Sequence, residues 1–230
     1  MMQVIYQLQL SALPVVSTCW LTMVCLLAGL SACSQSPAVE SGKTAVSDAG
    51  LKDEEDWRVI YIQDQKVGYV RNQTRIENQS GTKVVRTQSD SYLKFKRFGQ
   101  LLNLEVHLQT TENSQGDLLS YEYQMKNPPA NSTTTRGIVK DGQLEIETNI
   151  ANQATNTRLL WKPDYYSPTY MDRVFSESPM QPGDKKSFSM LLAELSKITE
   201  VNLAALDYES VERPGGTREK CLHVKMQQSL

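Results

Sequence analysis

Hydrophobic and polar residues alternate with a period of two over much of the chain after residue 57. The alternation is clearest from Leu101 to Thr111, where an apolar set lies against a polar one: Leu102, Leu104, Val106, Leu108 and Thr110 against Asn103, Glu105, His107, Gln109 and Thr111. Because successive side chains of a β-strand point to opposite faces, this pattern predicts a strand with one dry and one wet face. The alternation recurs in 118–126 and in 143–149.

Turn-forming residues separate these segments at fairly regular spacing. Asp141-Gly142 lies between two strand-like runs and is the strongest hairpin signal; Gln79-Ser80-Gly81 is another. Short links between strands predict an antiparallel meander. The predicted strands are 57–63, 67–78, 82–96, 100–112, 118–126, 133–140, 143–149, 156–162, 185–191, 201–212 and 217–226.

One stretch breaks the alternation. In 168–178, Met171, Val174 and Phe175 recur at three- and four-residue spacing, which predicts a short helix with Pro168 near its start. A second short helix is an alternative for 191–198, where the sequence does not decide between helix and strand. The sequence therefore predicts a mainly β fold, a curved antiparallel sheet of half-barrel or sandwich type, with one or two short helices covering a face.

The first part of the chain has the composition of an export signal. Residues 10–32 carry no charge, and the tetrapeptide Leu30-Ser31-Ala32-Cys33 closes this stretch. This tetrapeptide resembles the lipobox of bacterial lipoproteins, in which a branched apolar residue and two small residues precede a cysteine. The resemblance implies cleavage before Cys33, lipid on its sulfur and a place in the cell envelope. The alternative is an uncleaved membrane anchor, because such an uncharged stretch is long enough to span ~30 Å of hydrocarbon.

Three regions follow from this interpretation: a signal peptide at 1–32, a lipidated cysteine with a flexible tether at 33–56, and a single β-rich domain at 57–230. Residues 34–56 contain no aromatic residue and many small and polar ones, ending in an acidic run at 53–56. A segment of this composition cannot bury enough apolar surface to order itself.

The charge of the chain bears on its partners. All 24 Lys and Arg and all 26 Asp and Glu lie after residue 33, so the formal charge of −2 belongs to the part that follows the leader. A nearly neutral charge does not predict a nucleic-acid partner, which requires a basic face. The expected partners are a membrane, reached through the lipid anchor, and a protein or hydrophobic ligand; no cofactor is expected.

Candidate catalytic and metal-binding residues are few. Neither His107 nor His223 has a neighbour at metal-ligand spacing, and the polar-face position of His107 predicts a solvated imidazole. Cys221 and His223 lie two apart in a predicted strand, too far for the imidazole to activate the thiol, so Cys221 is expected to be a buried free thiol. Glu145 and Glu147 are expected on the wet side of a hairpin. We therefore predict no metal site and no catalytic residue.

Two segments resemble a known group of proteins. WRVIYIQDQKVGYV at 57–70, and SPMQPGDKKSF at 178–188 followed by Asp207-Tyr208-Glu209, resemble the β-rich extracellular regions that precede a transglutaminase-like domain in some bacterial proteins. In those proteins the catalytic residues lie in the later domain. The resemblance implies a lipid-anchored accessory or binding module without catalysis, or alternatively the N-terminal portion of a transglutaminase-like or protease-like enzyme.

The predicted architecture is also similar to that of carriers that move lipoproteins or lipids across the periplasm. A carrier of a hydrophobic ligand needs an uncovered concave apolar face. The residues that could line such a face are Tyr121, Tyr123, Met125, Leu102 and Leu104. Ordinary packing in a core accounts for the same residues.

Overall fold

The structure is a computed structural model that describes the backbone of residues 4–7 and residues 53–62, 65–97, 99–127, 132–212 and 216–229. It contains strands in two sheets and one helix within these ranges. The strands are β1 Val4–Gln7, β2 Glu54–Ile62, β3 Gln65–Gln79, β4 Thr82–Arg97, β5 Gln100–Asn113, β6 Leu118–Lys126, β7 Thr133–Lys140, β8 Gln143–Ile150, β9 Gln153–Leu160, β10 Tyr165–Tyr166, β11 Lys185–Leu192, β12 Lys197–Glu212 and β13 Arg218–Ser229. The helix, α1, is Tyr170–Glu177.

The larger sheet is an eight-stranded antiparallel meander in which β2 to β9 lie side by side in chain order. Two-residue turns close several of its hairpins. At the Asp141-Gly142 turn both residues have positive φ, 51° and 71°, which is the backbone that matches the twist of the flanking strands. Ser80-Gly81 repeats this geometry between β3 and β4. The predicted antiparallel meander and the predicted Asp-Gly hairpin are confirmed.

The smaller sheet has the strand order β1-β13-β12-β11-β10. Its three long strands, β11 to β13, are antiparallel, whereas β1 and β10 pair in parallel with their neighbours. Together the two sheets confirm the prediction of a mainly β fold built from antiparallel strands, and α1 confirms the predicted short helix. Apart from the backbone of β1, the predicted leader 1–32 lies outside the described residues, as does Cys33.

The first strand of the larger sheet begins earlier than the sequence predicts. β2 starts at Glu54, so the last three residues of the predicted tether are paired with β3. The acidic run is accommodated because its carboxylates find partners across the strands: Asp53 accepts a hydrogen bond from the backbone N–H of Ile76 at 2.9 Å, and Glu55 accepts one from Arg71. Residues 33–52 lie outside the described residues.

The second helix left open at 191–198 does not form. β11 continues to Leu192, a turn follows, and β12 begins at Lys197. The backbone N–H of Leu195 donates to the carbonyl of Leu192 at 3.2 Å, and Ser196 takes a positive φ of 52°, so the chain reverses direction within a few residues. Val201 and Leu203 then enter the core with the alternation of a strand.

Two apolar clusters form the core. In the first, α1 covers one face of the smaller sheet, with Val174 and Phe175 against Phe188, Val201 and Leu222. In the second, β6 and β8 of the larger sheet contact the tip of the β11–β12 hairpin. Its buried members are Leu118, Tyr121, Tyr123, Leu144, Ile146, Trp161, Leu191 and Ala193. The second cluster therefore joins the two sheets.

A buried polar cluster lies where β5 meets the segment around α1. Glu112 of β5 is fully buried, accepts hydrogen bonds from Ser167 and Thr169, and forms an ion pair with Arg173. Thr110, also on β5, shares a hydrogen bond of 2.8 Å with Thr169. Buried polar groups are tolerated when each finds partners, and this cluster fixes the position of α1 relative to the larger sheet.

Candidate binding surface

Four rings form a row across the first four strands of the larger sheet. Trp57 of β2, Tyr69 of β3, Tyr92 of β4 and His107 of β5, here called the aromatic row, have successive centroid distances of 5.6, 5.1 and 6.1 Å. The tilt is 38° and 31° in the first two pairs, and the last pair meets edge to face at 87°. Such tilted and edge-to-face pairs are favourable arrangements for aromatic rings.

The aromatic row lies on the face of the sheet that points away from the core. His107 stands between Val106 and Leu108, and both of these neighbours pack against the cluster that joins the sheets. Because side chains alternate along a strand, His107 must point to the opposite face, and the strand register places Tyr69 and Tyr92 there too. Trp57 is 57% exposed and Tyr69 is 40% exposed.

Glu55 and Arg71 organise the Trp57 end of the row. The Glu55 carboxylate accepts two hydrogen bonds from the Arg71 guanidinium at 3.1 Å, one from the Trp57 indole N–H at 3.1 Å, and one from Gln73 at 3.3 Å. The bond from Arg71, followed by that from Trp57, holds the pKa of Glu55 below its ordinary value. The guanidinium also lies 5.7 Å from the centre of the Trp57 ring, within cation–π range.

Asp90 and His107 form a second polar pair at the other end of the row. His107 Nδ1 lies 2.7 Å from Asp90 Oδ1, and the buried Asp90 carboxylate also accepts a bond of 2.8 Å from Gln88. A carboxylate only accepts hydrogen bonds, so Nδ1 carries the proton of this bond and Nε2 of a neutral ring is an acceptor. His107 lies on the polar face, as predicted, but its imidazole is only partly solvated: the side chain is 31% exposed and is bonded to a partner on the next strand that is distant in sequence.

Tyr92 is the half-buried centre of the row. Desolvation by its neighbours raises the pKa of Tyr92, and the nearby Asp90 carboxylate raises that pKa further. β3 and β4 approach closely beside this ring: a Cβ added at Gly68 would lie 2.0 Å from the carbonyl oxygen of Tyr92. A glycine at 68 is thus required for the spacing that brings Tyr69 against Tyr92.

The other histidine and the cysteine are not brought together as a catalytic pair. Cys221 is a free thiol, 5% exposed, which confirms the predicted buried thiol. His223 instead places Nδ1 2.5 Å from Glu209 Oε1 on the neighbouring strand. Glu145 and Glu147 lie exposed on β8, as predicted, and Glu145 pairs with Arg158 across the hairpin at 3.2 Å.

The residues considered for a carrier cavity divide into two groups. Tyr121, Tyr123 and Met125 belong to, or pack against, the cluster that joins the sheets, whereas Leu102 and Leu104 are half-buried on β5. Two open depressions in the described part of the chain are lined mainly by polar side chains. One includes Asp53, Glu54, Glu55, Gln73, Thr74 and Arg75; the other includes Ser132, Thr134, Arg136, Glu147, Asn149, Ala151 and Asn152.

The sequence pattern alone does not reveal the aromatic row, although it contains part of the signal. The turn at Ser80-Gly81 places Gln79 opposite Thr82, and counting back from it places Tyr69 opposite Tyr92. The strand partner of Trp57 cannot be found by the same counting, because a register shift between Ile60 and Tyr61 changes the pairing of β2 with β3.

No protein-family model matches the chain, and no curated protein matches it. Among solved structures, the chain is similar to the crystal structure of a β-barrel-like protein of the domain of unknown function DUF1849 from Brucella abortus. The identity is 10%, the TM-score is 0.45, and the match covers 69% of each chain. Within the described residues, no helix has the length and apolar character needed to cross a membrane.

Proposed function

We propose that this protein is a non-catalytic binding module of the cell envelope, tethered to a membrane by lipid on Cys33, whose binding surface is the aromatic row. The exposure of Trp57 and Tyr69 on the face opposite the core carries this proposal. Large aromatic side chains are costly to leave in water and are enriched where proteins bind partners. A cluster of them on a sheet face that also carries Arg71 and Glu55 has the composition of a recognition surface.

A binding role also agrees with how the reactive groups are used. Both histidine rings hydrogen-bond to carboxylates, Asp90 and Glu209, and the Cys221 thiol is buried. Cysteine-dependent acyl transfer needs an accessible thiolate next to a base, and burial of Cys221 opposes that chemistry. The tether proposal is supported by Leu30-Ser31-Ala32-Cys33, which resembles the lipobox of bacterial lipoproteins.

Metabolic labelling with a radioactive fatty acid tests the anchor. Cells that produce the full chain should incorporate label into this protein, Cys33→Ser should abolish incorporation, and Cys221→Ser should leave it unchanged. Equal labelling of the Cys33→Ser protein, or an N-terminus that begins at Met1 in mass spectrometry, contradicts the proposal.

Site-specific photo-crosslinking tests the binding surface. A photoreactive phenylalanine analogue at Tyr69 should capture an envelope component in living cells, because that ring lies in the exposed row. The same analogue at Ile138, which is 60% exposed on the same face but far from the row, is the matched control. Equal capture from both positions contradicts a binding role for the row.

A further inference from the structure

We infer that β9, the last strand of the larger sheet, pairs with β9 of a second copy of this chain. In this pair the two larger sheets join into one continuous antiparallel sheet, and the aromatic row of each copy lies on strands far from the junction. The inference is independent of the proposed binding function. It rests on three properties of β9: its open backbone, its lack of features that block strand addition, and its self-complementary side chains.

The outer edge of β9 presents backbone hydrogen-bonding groups to solvent. Within the described residues, β9 pairs with β8 and with no other strand. The backbone N–H of Trp161 donates to the carbonyl of Gly142 at 2.9 Å. Since bonded and non-bonded pairs alternate along an antiparallel ladder, the odd-numbered residues of β9 bond to β8. The even-numbered residues therefore direct their N–H and carbonyl groups outward: Ala154, Asn156, Arg158 and Leu160.

The two edges of the larger sheet differ in their protection against strand addition. The other edge strand, β2, carries four charged residues within 54–58 and a register shift between Ile60 and Tyr61. Charges and irregularities of this kind are the features with which proteins block edge pairing. β9 has eight residues in unbroken register with β8, no proline and a single charged residue, Arg158. β9 is therefore the edge of the larger sheet that can accept another strand.

The sequence of β9 is complementary to itself in an antiparallel pair. Two copies of one edge strand that are related by a two-fold axis pair antiparallel, as all neighbouring strands of the larger sheet do. An axis beside Thr157 places this residue opposite its own copy. The same axis places Ala154 opposite Leu160 and Asn156 opposite Arg158. This register brings the outward-facing backbone groups of the two copies against one another.

The register covers exposed apolar surface and opposes no like charges. Leu160 is 67% exposed and gains a cross-strand contact with Ala154 of the second copy. Thr157 meets Thr157, which is a favourable cross-strand pair. Arg158 already pairs with Glu145 of β8 at 3.2 Å and lies opposite a neutral residue. A strand of a different protein must supply a matching sequence, whereas a second copy supplies it in every case.

Disulfide cross-linking of the purified full chain, in detergent micelles with a mild oxidant, tests this inference in a Cys221→Ala background. Non-hydrogen-bonded antiparallel partners have Cα atoms about 4.5 Å apart, which a disulfide can span. Thr157→Cys should therefore form a cross-linked dimer. Thr155→Cys is the matched control, since it retains the same other cysteines and is also exposed. Its copy lies four residues away along the strand, roughly 13 Å, so it should cross-link at least about tenfold less.

Asn156→Pro provides a second test. Its N–H faces outward, so proline removes a donor from the pairing between copies and none from the pairing of β9 with β8. Added to Thr157→Cys, Asn156→Pro should lower the cross-linked fraction at least about tenfold, whereas Asn156→Ala, which keeps the N–H, should not. Equal cross-linking of Thr157→Cys and Thr155→Cys, or a monomer in both, overturns the inference. Cross-linking of Thr157→Cys to a different, co-purified polypeptide overturns it as well.

Discussion

The carboxylate of Glu112 and the guanidinium of Arg173 form an ion pair across the boundary between the larger sheet and α1, and the carboxylate side chain is only 1% exposed. Ser167 and Thr169 donate to the same carboxylate. The chain thus uses a buried charge, and not only apolar contacts, to hold its helix in place.

Removal of Arg173 should be strongly destabilising. Arg173→Ala leaves a fully buried carboxylate without its cation, and loss of one member of a buried pair costs about 3–5 kcal/mol. Urea denaturation at pH 7 measures the change in the free energy of unfolding. Arg136→Ala, which removes the exposed pair with Glu122, should cost only about 0.2–1 kcal/mol. Equal losses in the two variants would contradict the importance assigned to the buried pair.

A methyl group at position 137 should be destabilising. A Cβ added at Gly137 would lie 2.1 Å from Cε1 of the buried Tyr121 ring, so the ring or the strand must move. Gly137→Ala should lower the free energy of unfolding by about 1–3 kcal/mol, as for other overpacked cores. In a Tyr121→Leu background the same change should be neutral or stabilising, because the ring is absent and alanine restricts the unfolded chain. If Gly137→Ala still lowers the free energy of unfolding in the Tyr121→Leu background, the clash with the Tyr121 ring is not the cause.

The protein should lose stability in alkaline solution as buried tyrosines ionise. Burial raises the pKa of both Tyr121 and Tyr123 to about 12, from an ordinary value of 10. The folded state therefore favours the neutral phenol, and this stabilisation is complete below pH 10 and is lost as the pH rises from 10 towards 12. Urea midpoints measured across this window should fall, and Tyr123→Phe should reduce the fall. Tyr61→Phe, at a ring that is 49% exposed, is the control and should change the slope less.

The Cys221 thiol should be protected from reagents in the native state. Its side chain is 5% exposed, and the next residue, Leu222, is fully buried in the core of the smaller sheet. Alkylation of the Cys221 peptide, followed by mass spectrometry, should be slow in native protein and fast in denaturant. Leu222→Ala should cost about 2–5 kcal/mol and accelerate native labelling, because local opening becomes easier. Rapid labelling of the unmodified native protein would show that the thiol is accessible.

The sequence predicts the bounds of strands that have one apolar face closely, and it misplaces the start of strands that have none. β5 and β8 alternate clearly, and the structure places them close to the prediction. β9 begins at Gln153, three residues before the predicted start, and nearly all its side chains are exposed. An edge strand without a buried face leaves no hydrophobic period to detect. β2 likewise begins within an acidic run, because its carboxylates are satisfied by side chains of the next strand.

The candidate binding surface depends on pairings that no local pattern contains. His107 and Asp90 are adjacent because of the register of β4 with β5, and the ring of Trp57 meets Tyr69 only after the irregularity in β2. Sequence patterns identify individual residues of the wet face, such as His107. They do not identify which of them become neighbours, since that requires every hairpin register in succession.

In the larger sheet, every strand from β2 to β9 has its sequence neighbours as its spatial neighbours. Such connectivity joins each pair of neighbouring strands by a short loop, and short loops cost little entropy to close. Each new hairpin can dock onto the one completed before it, so assembly can advance in step with the arrival of the polypeptide. A chain that is exported N-terminus first, as proposed for this protein, can form this sheet strand by strand from β2 to β9 before its C-terminal strands arrive.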